Sequence, residues 1–170
     1  MQQEDNPHPD PASEEGLFDD EDVAAPISKA RAERFYDRMR ESIRRYLDDK
    51  GKVVSTSAEY LLLAPDVFVL MWRLVSDARV STKDKMMLGT GLAYYLFPLD
   101  LMPEAFMGPA GFLDDLVFGV YLLKRVLADT DPSILRDHWS GSDDVLTMIQ
   151  KVLAAADHLV GKDFLARFKK

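Results

Sequence analysis

From Ser28 onward the apolar positions recur at spacings of three and four, the period of an amphipathic helix. Ala32, Phe35, Tyr36, Met39, Ile43, Tyr46 and Leu47 form one apolar face of a first helix over roughly 28–49, stopped at Gly51. Thr56-Ser57-Ala58-Glu59 has the form of a capping box opening a short helix through Leu63. Pro65 suits the first turn of another helix, which carries Phe68, Met71, Trp72 and Val75 to about Ala78. Ser81 with Asp84 three residues on predicts a fourth start, and Pro98 predicts its stop. A fifth helix is expected over about 112–128, a short sixth from Asp131-Pro132 to near Trp139, and a seventh from Ser140 or Ser142 to about Val160. A last turn, 164–168, offers Phe164, Leu165 and Phe168 as a docking face. No polar–apolar alternation and no Asn-Gly or Asp-Gly hairpin turn appears in this part of the chain. The expected fold is all-α.

The fourth and fifth helices differ from the others. Met86, Met87, Leu88, Leu92, Tyr94, Tyr95, Leu96 and Phe97, then Leu116, Val117, Phe118, Val120, Tyr121, Leu122 and Leu123, make them apolar nearly all round. Such a pair forms a central core hairpin or enters a membrane. As a core hairpin it should turn Tyr94, Phe97, Leu116 and Val120 towards neighbouring helices. Gly89, Ala93 and Gly119 would allow close helix approach. The longest uncharged run, Met86 to Leu99, is 14 residues, whereas a span needs about 20. Carrying one Asp to the bilayer centre costs roughly 2.5–3.5 kcal/mol, and acids flank the turn. The expectation is a soluble helical bundle around the hairpin, with membrane association as the alternative.

Charge adds a boundary. The chain has 170 residues, no cysteine and a net charge of −8. Nine acids (Glu4, Asp5, Asp10, Glu14, Glu15, Asp19, Asp20, Glu21 and Asp22) lie in residues 1–26, which hold no Lys or Arg. The remaining residues hold 20 acids and 21 bases, so the body is nearly neutral. Residues 1–27 are therefore expected to be a disordered acidic tail, too poor in large apolar side chains to offset ordering entropy, with one domain over 28–170. A near-neutral body does not favour nucleic acid as a partner. The chain start shows neither a basic nor an apolar leader, and with no cysteine a cytoplasmic location is expected.

Two constellations carry candidate chemistry. Asp100, Glu104, Asp114 and Asp115 flank the turn between the two apolar helices. Carboxylates so grouped suit Mg²⁺ or Ca²⁺. The plainer reading is capping: Asp114 and Asp115 in a helix first turn complement its dipole, and Asp100 forms an Asx-turn. Adjacent Asp114 and Asp115 project about 100° apart on a helix, which favours capping, so no cofactor is expected. Arg31, Arg34, Arg38 and Arg45 form a stripe on the first helix that could meet an anionic partner, a membrane surface or the acidic tail. Glu33, Asp37 and Glu41 dilute it, so a solvated face is the plainer reading. His8, His138 and His158 lack metal spacing, Gly89-Thr90-Gly91 lacks the third glycine of a dinucleotide motif, and no Walker or Gly-x-Ser-x-Gly pattern occurs.

The segment Pro98-Leu99-Asp100-Leu101-Met102-Pro103-Glu104, followed by Gly111-Phe112-Leu113-Asp114-Asp115, resembles the YkvA-like family, a short bacterial domain of unknown function. Asp77-Ala78-Arg79-Val80 and Lys85 fit the same resemblance, which covers about 66–128. Glu104 stands where that family usually has Asp, and the stretch to Gly111 is one residue longer. The resemblance implies a domain and no reaction. The expected function is a non-catalytic interaction or adaptor module with an unknown protein partner. Membrane association through the hairpin is second, and divalent-cation-dependent activity at the acidic turn is third.

Overall fold

A computed structural model describes the backbone of residues 28–50, 56–101 and 109–160. The acidic tail, Glu104 and the 164–168 turn lie outside these residues, and so does the side chain of Asp100. Among the described residues there are seven helices and no strand: α1 (Lys29–Lys50), α2 (Thr56–Leu61), α3 (Ala64–Ser76), α4 (Thr82–Leu101), α5 (Pro109–Val126), α6 (Pro132–His138) and α7 (Val145–Val160). The all-α expectation holds.

α3 is the most enclosed element. Its sequence, APDVFVLMWRLVS, is apolar on most of its circumference, and ten of its 13 residues are buried. It packs against α1, α4, α5 and α6. α5 packs against α7, α4, α2 and α1 in addition. α1 contributes Ala32, Phe35, Tyr36, Met39 and Ile43, the face read from its periodicity. Phe35 meets Phe68 at 4.6 Å between ring centroids. Leu116, Leu123, Leu88, Leu92 and Trp72 are among the largest fully buried side chains, so the α4–α5 hairpin and α3 share one core.

The helix termini correct three boundaries. α4 continues through Pro98 to Leu101 instead of stopping at the proline. The ring removes one ladder bond, the one to the carbonyl four residues back, and near a helix end the remaining turns carry the backbone past it. α5 starts at Pro109, because a first-turn proline loses nothing by lacking an N–H. Asp114 and Asp115 therefore stand in its second turn, and the first turn holds no acid. The dipole-capping reading of this pair is overturned, since the terminal charge is felt within the first turn. α7 begins later than Ser140 or Ser142: Asp144 Oδ1 accepts from the N–H groups of Leu146 and Thr147 at 3.0 and 3.3 Å. At α4 the expected capping box is present. Asp84 N–H donates to Ser81 Oγ at 3.1 Å, and Ser81 Oγ–H donates to the buried Asp84 carboxylate at 2.8 Å. At α6, Asp131 Oδ1 accepts from Ser133 N–H at 2.8 Å, with Pro132 next to it.

Candidate functional site

The two ends of the α4–α5 hairpin have different chemistry. At the end where α4 begins, residues of α3, of the α3–α4 connection and of α6 are tied together. Arg79 presents its guanidinium to Asp77, with Nη2–Oδ2 at 2.7 Å and Nε–Oδ1 at 3.1 Å, and reaches Asp137 through Nη1 at 2.8 Å. His138 Nε2 lies 2.6 Å from Asp77 Oδ2. A carboxylate can only accept, so this ring nitrogen carries the proton. Arg73 Nη1 donates to the His138 carbonyl at 2.9 Å. The Asp77 side chain is 8% exposed. Its hydrogen bonds from Arg79, foremost, and from His138 hold its carboxyl well below the usual carboxylate range. In a catalytic triad the carboxylate serves to orient a histidine. Here its principal partner is an arginine, and the effect is to tie the end of α3 to the end of α6. In the sequence, Asp77-Ala78-Arg79 fits the family resemblance but carries no sign of a contact with α6. His138 is 61 positions from Asp77, and no local pattern links them.

The other end holds the predicted acids. Asp100 is in the last turn of α4, and Asp114 and Asp115 lie on α5. Asp114 is exposed and Asp115 half-buried. Burial, with the neighbouring charge of Asp114 second, pushes Asp115 up to about 7. Burial also raises Asp114. The Tyr95 hydroxyl of α4 donates to the Asp115 main-chain carbonyl, and burial pushes the Tyr95 phenol well above its ordinary value. Among the described residues no group of three His, Asp or Glu could hold a metal ion. The structure thus assigns Asp115 a titration near neutrality that the sequence does not announce.

Close approach occurs at Gly91 and Gly119. A Cβ on Gly119 would collide with the Tyr95 hydroxyl and lie 2.9 Å from Val67 Cγ1. A Cβ on Gly91 would meet the Leu122 side-chain end and Met71 Cε. Ala93, paired with Gly89 in the sequence reading, is exposed.

Between the two ends, the outward side of the hairpin is apolar. Met86 is 69% exposed and Tyr94 57%. Thr90 and Ala93 are exposed beside them, and Met87, Phe118 and Tyr121 are half-buried. Tyr94 packs edge-on to Phe118 at 5.2 Å. Tyr94 was expected inside. Adjacent Tyr94 and Tyr95 point about 100° apart; Tyr95 takes the core side, at 4% exposure, and Tyr94 is left outside. This patch does not stand out in the sequence, because the outer face of α4 is as apolar as its inner one.

The arginine stripe is present as a surface feature of α1. Arg34, Arg38 and Arg45 are exposed and Arg31 is half-buried. Arg45 is engaged by Glu41 at 3.1 Å, which also lies 3.9 Å from Arg44. Arg40 stacks over the Tyr36 ring at 5.6 Å.

A family model described as a protein of unknown function (DUF1232) matches residues 84–119. That stretch runs from the capping acid of α4 to the close-approach glycine of α5. It falls within the 66–128 segment that carries the YkvA-like resemblance and is compatible with it. The chain is also 26% identical over 112 residues to an uncharacterized protein, ORF9, of Methanothermobacter thermautotrophicus, covering 59% of this chain and 77% of that one. No solved structure matches. Among the described residues no helix is long and apolar enough to cross a membrane.

Proposed function

We propose that this chain is a YkvA-like interaction module that works without catalysis, presenting the outer face of α4–α5 to a protein partner. One observation carries the reading: Met86, Thr90, Ala93 and Tyr94 are exposed along one side of α4, inside the matched segment. Exposed apolar side chains gathered on one face mark a contact surface, whereas scattered ones do not. Their aromatic and methionine content is the composition enriched at interface centres. The polar groups at the start of α4 are engaged with one another, which suits a scaffold more than a reaction centre.

The test is a pair of surface substitutions, Met86→Glu with Tyr94→Glu, introduced at the native locus. Both positions face water, so the unfolding midpoint is expected to change little. The native complex, followed by size fractionation of cell extracts, is expected to shift to the size of the free chain. An unchanged complex with both charges in place contradicts the proposal.

Membrane association is the second reading, favoured by the same face. Flotation with anionic vesicles that is lost in the double variant would support it over a protein partner. In the third reading the acids at the far end hold Mg²⁺ or Ca²⁺. A bound ion at 100 times its dissociation constant adds about 2.7 kcal/mol of stability. We expect no such gain when unfolding in chelator is compared with unfolding in millimolar cation at matched ionic strength. A cation-specific gain that disappears in Asp100→Asn would establish the site.

A further inference from the structure

The outward stripe of α5 reads Asp114, Phe118, Tyr121, Arg125, at spacings of four, three and four, which is one face of a helix. Asp114 and Arg125 are exposed at its two ends, about 16 Å apart at 1.5 Å per residue. α4 runs antiparallel beside it. Its Lys83 pairs with Asp129 just beyond α5 at 3.3 Å, so the excess positive charge at that end of the hairpin is carried by Lys124 and Arg125. Asp114 and Asp115 lie at the other, where the α4 backbone ends at Leu101. Met86, Thr90 and Tyr94 fill the space between on the α4 side. The face therefore has a basic end, an apolar middle and an acidic end.

A surface with this polarity is complementary to itself when turned through a two-fold axis. Gly91 of α4 lies against Leu122 and Phe118 of α5, which fixes the level of the middle. An axis through that level, perpendicular to the helices, sets Asp114 of one copy against Arg125 of the other, and the reverse. This is the reciprocal pairing of an isologous interface. The apolar side chains of both copies then cover one another. An anionic membrane is a poorer occupant, because the exposed Asp114 at the acidic end would meet headgroups of like charge.

We propose that the outer face of α4–α5 docks a second copy of this chain in antiparallel register, forming a two-fold dimer. The inference rests on the interaction-module reading and names the partner of that surface. The chain has no cysteine, so a single introduced thiol reports on one position. Thr90 stands near the axis level, and Gln150 is exposed on α7, a helix outside the hairpin.

The experiment uses the full chain. Sedimentation equilibrium is expected to show a monomer–dimer equilibrium. Arg125→Asp or Asp114→Arg alone should weaken it by about tenfold or more, because two symmetry-related contacts become repulsive. The double reversal Arg125→Asp, Asp114→Arg should restore affinity to near the parent value. Under mild oxidation, Thr90→Cys should give a covalent dimer and Gln150→Cys should not. A chain that stays monomeric throughout overturns the inference, as does a double reversal that fails to recover. A monomeric chain whose Met86→Glu, Tyr94→Glu variant still loses its native complex would remove the self-docking and leave the interaction reading standing. A monomeric chain that floats with anionic vesicles would remove both.

Discussion

Two aspartates in this protein have been moved in opposite directions by their surroundings, and their pH dependences follow. Asp77 is held low by Arg79 and His138. A depressed carboxyl contributes stability that is present above its unfolded value of 3.8 and lost as pH falls through the folded value. Asp77→Asn is expected to cost about 1.5–3 kcal/mol near neutral pH, the range for hydrogen bonds to charged groups. That cost should shrink in strong acid, as followed by denaturant unfolding across pH. Asp115 is the converse. Its folded value of about 7 exceeds the unfolded 3.8, so the folded state binds more protons between the two. Stability attributable to Asp115 is fully present below pH 3.8 and is lost as pH rises through 7. Asp115→Asn should therefore stabilise the protein on the order of 1–3 kcal/mol at pH 8 and leave it unchanged near pH 3, the cost being that of a charge kept from water. An equal effect at both pH values would mean that the site does not titrate as its surroundings require.

At the scale of the element, α4 and α5 are set by two glycines whose obstacles differ in kind. The obstacle at Gly119 is the Tyr95 hydroxyl, tied to the Asp115 carbonyl, together with Val67. At Gly91 it is chiefly the free end of Leu122, which can rotate. Gly119→Ala should cost about 1–3 kcal/mol through overpacking, despite the roughly 1 kcal/mol that alanine gains in helix propensity. Gly91→Ala should be close to neutral. Tyr95→Phe removes the obstructing atom and should recover part of the loss in a double-mutant cycle on thermal unfolding. Helix existence was legible because periodicity is a property of each segment: the face of α1 and the caps at Ser81 and Asp131 were read from a few neighbouring residues. Termini were less so. Pro98 looks like a stop in the sequence, yet α4 carries its backbone three residues past it. Pro109 carries a first-turn signal, but Gly111-Phe112 close by competes with it as a start. That single shift moved Asp114 and Asp115 out of the first turn and with it removed their capping role. The Asp77–His138 contact had no sequence signature at all, because tertiary packing brings the two together. The exposed side of α4 was equally hidden, since a uniformly apolar helix does not mark which of its sides meets water.

For the whole molecule, α3 and the inner faces of α4 and α5 supply the core, and the polar ties at the start of α4 fix α3 against α6. The burial of Leu116 at 1% exposure shows how firmly α5 is seated on its inner side. On the outer side of the hairpin Met86 and Tyr94 are exposed, and the family match centres on this hairpin. The proposed function requires Met86 and Tyr94 to sit at an interface in the cell. Replacing Tyr94, and separately Gln150 on α7, with a photoactivatable crosslinking residue tests it most directly. A discrete protein adduct is expected from position 94, reproducible at native expression and absent from position 150. No protein adduct at 94, or equal adducts at both positions, would contradict it.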